Sequence, residues 1–167
     1  MNLKQKLTAA ALTALMSLSL TFGAFAAAKT AYTYSYEKQQ ITVGQDAKTA
    51  VKALGKAKEE KTLNNCAAGD GTVKDKVYLY NDFDLHVSTN NKGKEIVWEI
   101  ALKNGNTATE EGLKIGDTAA RVKALYPDAK ENYGIYTATL GSTQVIVDCG
   151  LKNDKVVAIS YQYYEAK

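Results

Sequence analysis

Histidine occurs once in the 167 residues and cysteine only twice. A metal site or a general base needs several converging imidazole, thiolate or carboxylate groups. His86 has two candidate companions: Asp84, two residues away on one strand face, and Glu99, across a neighbouring strand. A lone strand histidine among tyrosines and acids reads instead as a surface contact. No Ser or Cys sits in a nucleophile elbow, and no glycine-rich loop leads from a strand into a phosphate-binding helix. Gly69-Asp70-Gly71 lacks the other acids of a calcium loop and reads as a turn. No catalytic residue, metal or cofactor is therefore expected.

Long apolar runs are missing after the first 26 residues, so no later segment is expected to span a membrane. Those first 26 have the layout of a secretory signal. Lys4 and Lys6 make a positive start, Leu12 to Phe25 is apolar and uncharged, and Ala24-Phe25-Ala26 is a small-x-small cleavage pattern. Thr13, Ser17, Ser19 and Thr21 interrupt the apolar stretch, which argues for a cleaved signal over an uncleaved anchor. No cysteine follows it to carry a lipid. The expected location is secreted or cell envelope.

Charge excess is also scarce. Without Lys4 and Lys6 the 21 basic residues become 19, against 18 acids. A near-neutral domain lacks the electrostatic footprint of a nucleic-acid binder. Lysines alternate with acids, as in Lys56-Ala57-Lys58-Glu59-Glu60-Lys61, the pattern of a solvated face. Beyond the signal one Phe (Phe83) and one Trp (Trp98) remain, while all 11 tyrosines do. Tyrosine covers apolar surface while its hydroxyl stays wet, which suits interfaces.

What is present is a repeat. Residues 41–55 read ITVGQDAKTAVKALG and residues 113–127 read LKIGDTAARVKALYP. Each copy runs apolar-x-apolar-Gly, then a polar pair, then an amphipathic stretch ending Val-Lys-Ala-Leu. Each is expected to be one supersecondary unit. Asp46 caps the first helix, Ala47, Ala50, Val51 and Leu54 form its apolar stripe, and Gly55 stops it. Asp117 or Thr118 caps the second, which carries Ala119, Val122 and Leu125 and ends before Pro127. Residues 56–71 suggest a second short helix and a loop.

Strands are expected at 77–80, 83–89 and 96–102, and again at 135–140, 143–149 and 156–163. Asn90-Asn91-Lys92-Gly93 is a hairpin connection. The domain reading is a signal at 1–26, an N-terminal arm or edge strand at 27–40, a first α+β repeat at 41–103, a linker at 104–112 and a second repeat at 113–167. The fold class is α+β, each repeat placing a short helical segment on one face of an antiparallel sheet.

Alternation assigns the two faces. Phe83, Leu85, Val87, Trp98, Ile100 and Leu102 are expected under the first helix, and Val145, Val147, Val157, Ile159 and Tyr161 under the second. The open face then carries Tyr78, Tyr80, Asp84, His86, Glu99, Tyr136, Ile146, Asp148 and Gln162. That mixture suits a protein-contacting surface as well as a solvated one.

The layout from Ile41 to Tyr163 resembles the β-lactamase-inhibitor-protein-like fold. The residues that carry the likeness are ITVGQDAKTAVKALG, Leu63-Asn64-Asn65-Cys66 and Val77-Tyr78-Leu79-Tyr80-Asn81-Asp82-Phe83. Thr109 to Gly116 is similar to a phrase in small exported proteins of Gram-positive bacteria, mostly of unassigned function. The resemblance implies two similar units forming one concave surface. The inhibitor's Asp-Tyr contact pair is replaced here by Lys76 and Val77, so the inhibitory contact is not carried over. The family tends to hold a disulfide within each repeat, whereas Cys66 and Cys149 fall one in each. In an exported chain they either bridge the repeats or remain two thiols.

The expected function is non-enzymatic binding of another extracellular or envelope protein through Tyr78, Tyr80, His86, Glu99 and Tyr136. A module binding a cell-wall component is the alternative, and a hydrolase with an unrecognised site is a third.

Overall fold

A glycine opens both helical units, and the backbone requires it. In the computed structural model Gly44 has φ 88° and Gly116 has φ 98°, in the left-handed region that side chains resist. Their N–H groups donate to Val97 O at 2.7 Å and Val156 O at 2.8 Å. Val97 N–H returns a bond to Gln45 O, and Val156 N–H one to Asp117 O. A Cβ on Gly44 would stand 2.7 Å from the Tyr163 ring, whereas one on Gly116 meets nothing within 4 Å. Gly116→Ala is therefore expected to cost about 1 kcal/mol of backbone strain and Gly44→Ala about 2–4 kcal/mol. Urea midpoints compare the two, and equal losses would refute the Tyr163 contact.

The structure describes residues 29–64, 74–90, 92–150 and 154–164. The signal segment, Cys66 and Gly69-Asp70-Gly71 lie outside them. Helix α1 is Ala47–Leu54 and α2 is Ala119–Leu125. Strands β1 (Thr33–Tyr36) and β2 (Gln39–Thr42) form a hairpin. An antiparallel sheet of eight strands holds β3 (Glu59–Asn64), β4 (Lys74–Leu79), β5 (Phe83–Thr89), β6 (Glu95–Leu102), β7 (Lys130–Asn132), β8 (Ile135–Leu140), β9 (Thr143–Asp148) and β10 (Ala158–Tyr163). Its order is β3-β4-β5-β6-β10-β9-β8-β7. The architecture is α+β with two antiparallel sheets. Among the described residues no helix is long and apolar enough to cross a membrane.

Helices this short are marginal alone, so caps and packing hold them. Asp46 accepts from Thr49 N–H at 2.8 Å and from its hydroxyl at 2.7 Å. For α2 the cap is Thr118, which accepts from Arg121 N–H. Asp117 instead accepts from Lys114 N–H and pairs with Arg121. Ala47, Ala50 and Leu54 of α1, and Ala119 and Val122 of α2, face the sheet and are buried. They pack over Phe83, Leu85, Val87, Ile100, Leu102, Val145, Val147, Ile159 and Tyr161, all buried as alternation predicts.

Two positions depart from that alternation. His86 pairs with Glu99 but Val87 with Val97, so Trp98 is an extra residue in a β-bulge. Val97 takes the buried place, and Trp98 is 41 % exposed against the edge of Tyr163. Val157 precedes β10 and is 50 % exposed, while Val156, bonded to Gly116 and Asp117, is buried. Residues 59–64, expected to fall in a short helix and loop spanning 56–71, are strand β3. The strand at 33–36 is paired, and its Tyr34 is buried against Phe83 and Tyr161. Its turn at Glu37 and Lys38 has φ 45° and 68° without the usual Asn-Gly signal.

Candidate functional site

Cross-strand partners lie on the same side of a sheet. One side of the eight-stranded sheet is covered by α1, α2 and the β1–β2 hairpin. On the other side no described element lies over the central strands. Two rows cross this open face. The first runs Leu79, Asp84, Ala101, Ser160, Ile146 and Thr137. The second runs Val77, His86, Glu99, Gln162, Gln144 and Thr139.

Most of these side chains are half-buried although no described element covers them. Neighbouring strands stand about 4.8 Å apart, so side chains in a row shield one another. Hydrogen bonds hold several in place. Gln162 Nε2 donates to Glu99 Oε1 at 3.0 Å, and Gln144 Nε2 to Thr139 Oγ1 at 3.1 Å. Lys103 pairs with Asp84 at 3.0 Å and also donates to Tyr80 O. At the centre the row narrows to the small side chains of Ala101 and Ser160, directly opposed on β6 and β10. The result is a polar platform with a shallow middle, able to give and accept hydrogen bonds. Among the described residues no group of three His, Cys, Asp or Glu side chains converges as a metal site would require.

The five residues expected to bind a partner do not come together. His86 and Glu99 are opposed on the open face. Tyr78 pairs with Leu85 and therefore lies on the helix side, half-buried beside α1. Tyr136 pairs with Val147, is buried on that same side, and receives Lys123 over its ring at 5.7 Å. Tyr80 is buried, stacks on Phe83 with centroids 4.7 Å apart, and donates to Gly55 O. The correction has one cause: register. In β4 it places Val77 and Leu79 on the side of His86 and Asp84, where Val77 is buried and Leu79 half-buried. Asp84, Ile146, Asp148 and Gln162 do share the open-face register. Ser160, Gln144, Thr137 and Thr139 join them without any mark in the sequence, because a polar residue on a half-exposed strand carries no signal of its own.

A second polar cluster sits on the covered side, where segment 104–112 crosses. Tyr126 is buried and its hydroxyl donates to Glu111 Oε2 at 2.6 Å while accepting from the Thr109 hydroxyl at 2.9 Å. Thr109 in turn accepts from Leu113 N–H. Lys29 bonds both Glu110 and Glu111, and Thr33 donates to Glu110. Burial works to raise the Glu111 pKa, but donation from Lys29 and Tyr126 outweighs it and holds the carboxyl below its ordinary value. Burial, then the bond to Glu111, pushes the Tyr126 phenol far up. Tyr34 is pushed up to about 12 by burial. These groups are tied to one another and hold the segment, so the cluster reads as a fastening.

Cys149 is buried and carries a free thiol whose pKa burial raises. The other half of the expected bridge, Cys66, lies outside the described residues.

No family model and no curated protein matches the chain. Among solved structures, a cysteine-rich secretory protein from Staphylococcus aureus aligns with it at 17 % identity and a TM-score of 0.45. That alignment covers 72 % of this chain and 44 % of the other, so the chain spans less than half of that structure's length.

Proposed function

We propose that the protein is an exported binding protein that holds another protein on the open face of its eight-stranded sheet. The observation that carries this reading is the two-row polar platform, left open by the described elements and already organised by side-chain hydrogen bonds. Ordered side chains lose less entropy on docking, which favours affinity. His86, Glu99, Gln162 and Gln144 would supply the polar contacts, and Ala101 and Ser160 the flat centre. Export rests on the signal-like layout of residues 1–26.

The platform is built, on this reading, from two tandem units at 41–103 and 113–167. Three features support it. The paired backbone bonds at Gly44–Val97 and Gly116–Val156 have the same pattern. The cap residues Asp46 and Thr118 each bridge to the other arm, at Ile96 and Lys155. Four strands follow each helix, and the two sets meet at β6 and β10. A single sheet shared by two units is what the β-lactamase-inhibitor-like resemblance implies.

A bulky charge at the shallow centre tests the proposal. The partner is first captured from envelope extract and identified by mass spectrometry, then its affinity is measured. Ala101→Arg with Ser160→Arg is expected to weaken binding by roughly a hundredfold, as central contacts do. An unchanged thermal midpoint shows that the fold is intact. Unaltered affinity would move the interface off the sheet.

A further inference from the structure

The helix-covered side is not covered throughout. Beside α1 the half-buried Tyr78 of β4 lines an open hollow. Val87 shares its floor, and Ala47 and Val51 of α1 form one wall. This hollow, of about 340 Å³, adjoins a second of about 340 Å³ through Val51 and Tyr78. It also adjoins a larger depression by the β5–β6 turn through Lys48 and Glu95. Together they make a groove along the flank of α1.

The rim is cationic. Lys48 and Lys52 lie one turn apart on α1, and Lys76 stands across from them. Lys92 and Lys94 edge one end, Lys56 and Lys58 the other. Seven lysines thus face four acids, an excess of three in a protein whose exported part is nearly neutral. All four acids already have partners: Asp46 accepts from Thr49, Glu95 pairs with Lys76 at 3.3 Å, Glu59 pairs with Lys61, and Glu60 bonds the Tyr78 hydroxyl. The Lys48, Lys52, Lys56, Lys58, Lys92 and Lys94 side chains are exposed.

We propose that this groove docks an acidic polypeptide segment that carries one apolar anchor residue. The charge excess selects an acidic ligand, and the half-buried Tyr78 and Val51 select one with an apolar side chain to bury. A purely polyanionic polymer would use the lysines and leave the floor wet. The groove is on the opposite side of the sheet from the proposed protein-binding face, so the two sites are independent.

The test uses the folded exported chain and a fluorophore-labelled glutamate-rich peptide with one central phenylalanine, read by anisotropy. Binding is expected, weakening as salt rises. Lys48→Glu with Lys52→Glu is expected to lower affinity at least about tenfold. Replacing the peptide's phenylalanine by serine, which leaves the protein untouched, is expected to lower it comparably. Ala101→Arg with Ser160→Arg is expected to leave it unchanged, so this result is separable from that for the open face. Equal binding of the serine peptide, of a lysine-rich peptide or of a polyol phosphate would overturn the proposal. So would binding indifferent to the lysine substitutions.

Discussion

Phe83→Ala is expected to lower the unfolding free energy by about 3–5 kcal/mol, the usual cost of removing a buried aromatic ring. Phe83 is fully buried and lies among three tyrosines. Tyr34 and Tyr36 meet its ring edge-on with centroids 5.1 Å and 5.0 Å away, and Tyr80 stacks on it at 4.7 Å. Tyr34 and Tyr36 belong to β1 and Tyr80 directly follows β4, so the ring joins the hairpin to the sheet. Such pairs add about 0.5–1.5 kcal/mol each beyond area burial. Total stability of a domain this size is about 5–15 kcal/mol, so the loss is a large fraction of it. Urea unfolding measures the change, with Phe83→Leu as a control that keeps part of the volume. A loss below about 1 kcal/mol would show that the hairpin is not docked on Phe83 in solution.

Tyr126→Phe should cost about 2 kcal/mol at neutral pH, because its hydroxyl donates to a charged acceptor within a mostly buried cluster. Glu111→Gln should cost a similar amount, and the double variant less than the sum, since both remove one shared bond. The pH dependence has a definite sign. Glu111 titrates below its ordinary value of 4.5 in the folded state. Its contribution is complete above that value and disappears as pH falls through the lower, folded pKa. Glu110, lowered by donation from Lys29 and Thr33, acts in the same direction. The gap between the native chain and Glu111→Gln should therefore narrow below pH 4.5. A gap that is constant from neutrality down to pH 3, or about that, would show that the carboxylate is not charged and bonded in the folded protein.

Where patterns are local, the chain announces them. Asp46 and Gly55 bracket α1 as read, and Ala47, Ala50 and Leu54 point inward as their spacing requires. Six of the ten strands among the described residues are anticipated from apolar alternation. Strand β3 is missed because Glu59-Glu60-Lys61 has the polarity of a solvated helix or loop. Its edge position explains this: an edge strand buries little and is kept charged against stray pairing. The hairpin turn at Glu37-Lys38 is hidden because neither residue favours its positive φ, and tertiary burial of Tyr34 offsets the strain.

The sequence by itself determined the two helices, the Asp46 cap, the glycines that precede the helices, and the inward set around Phe83, Leu85, Ile100 and Val145. All are consequences of spacing and backbone conformation within a few residues. Tertiary structure alone decided which tyrosines are available. Tyr78, Tyr80 and Tyr136 look alike in the chain, yet one floors a groove and two are buried. The same holds for Trp98, exposed by a bulge, and for the pairing of Ala101 with Ser160. The reason is that strand register is set between segments far apart in sequence. A shift of one residue exchanges the two faces, and no single strand records it.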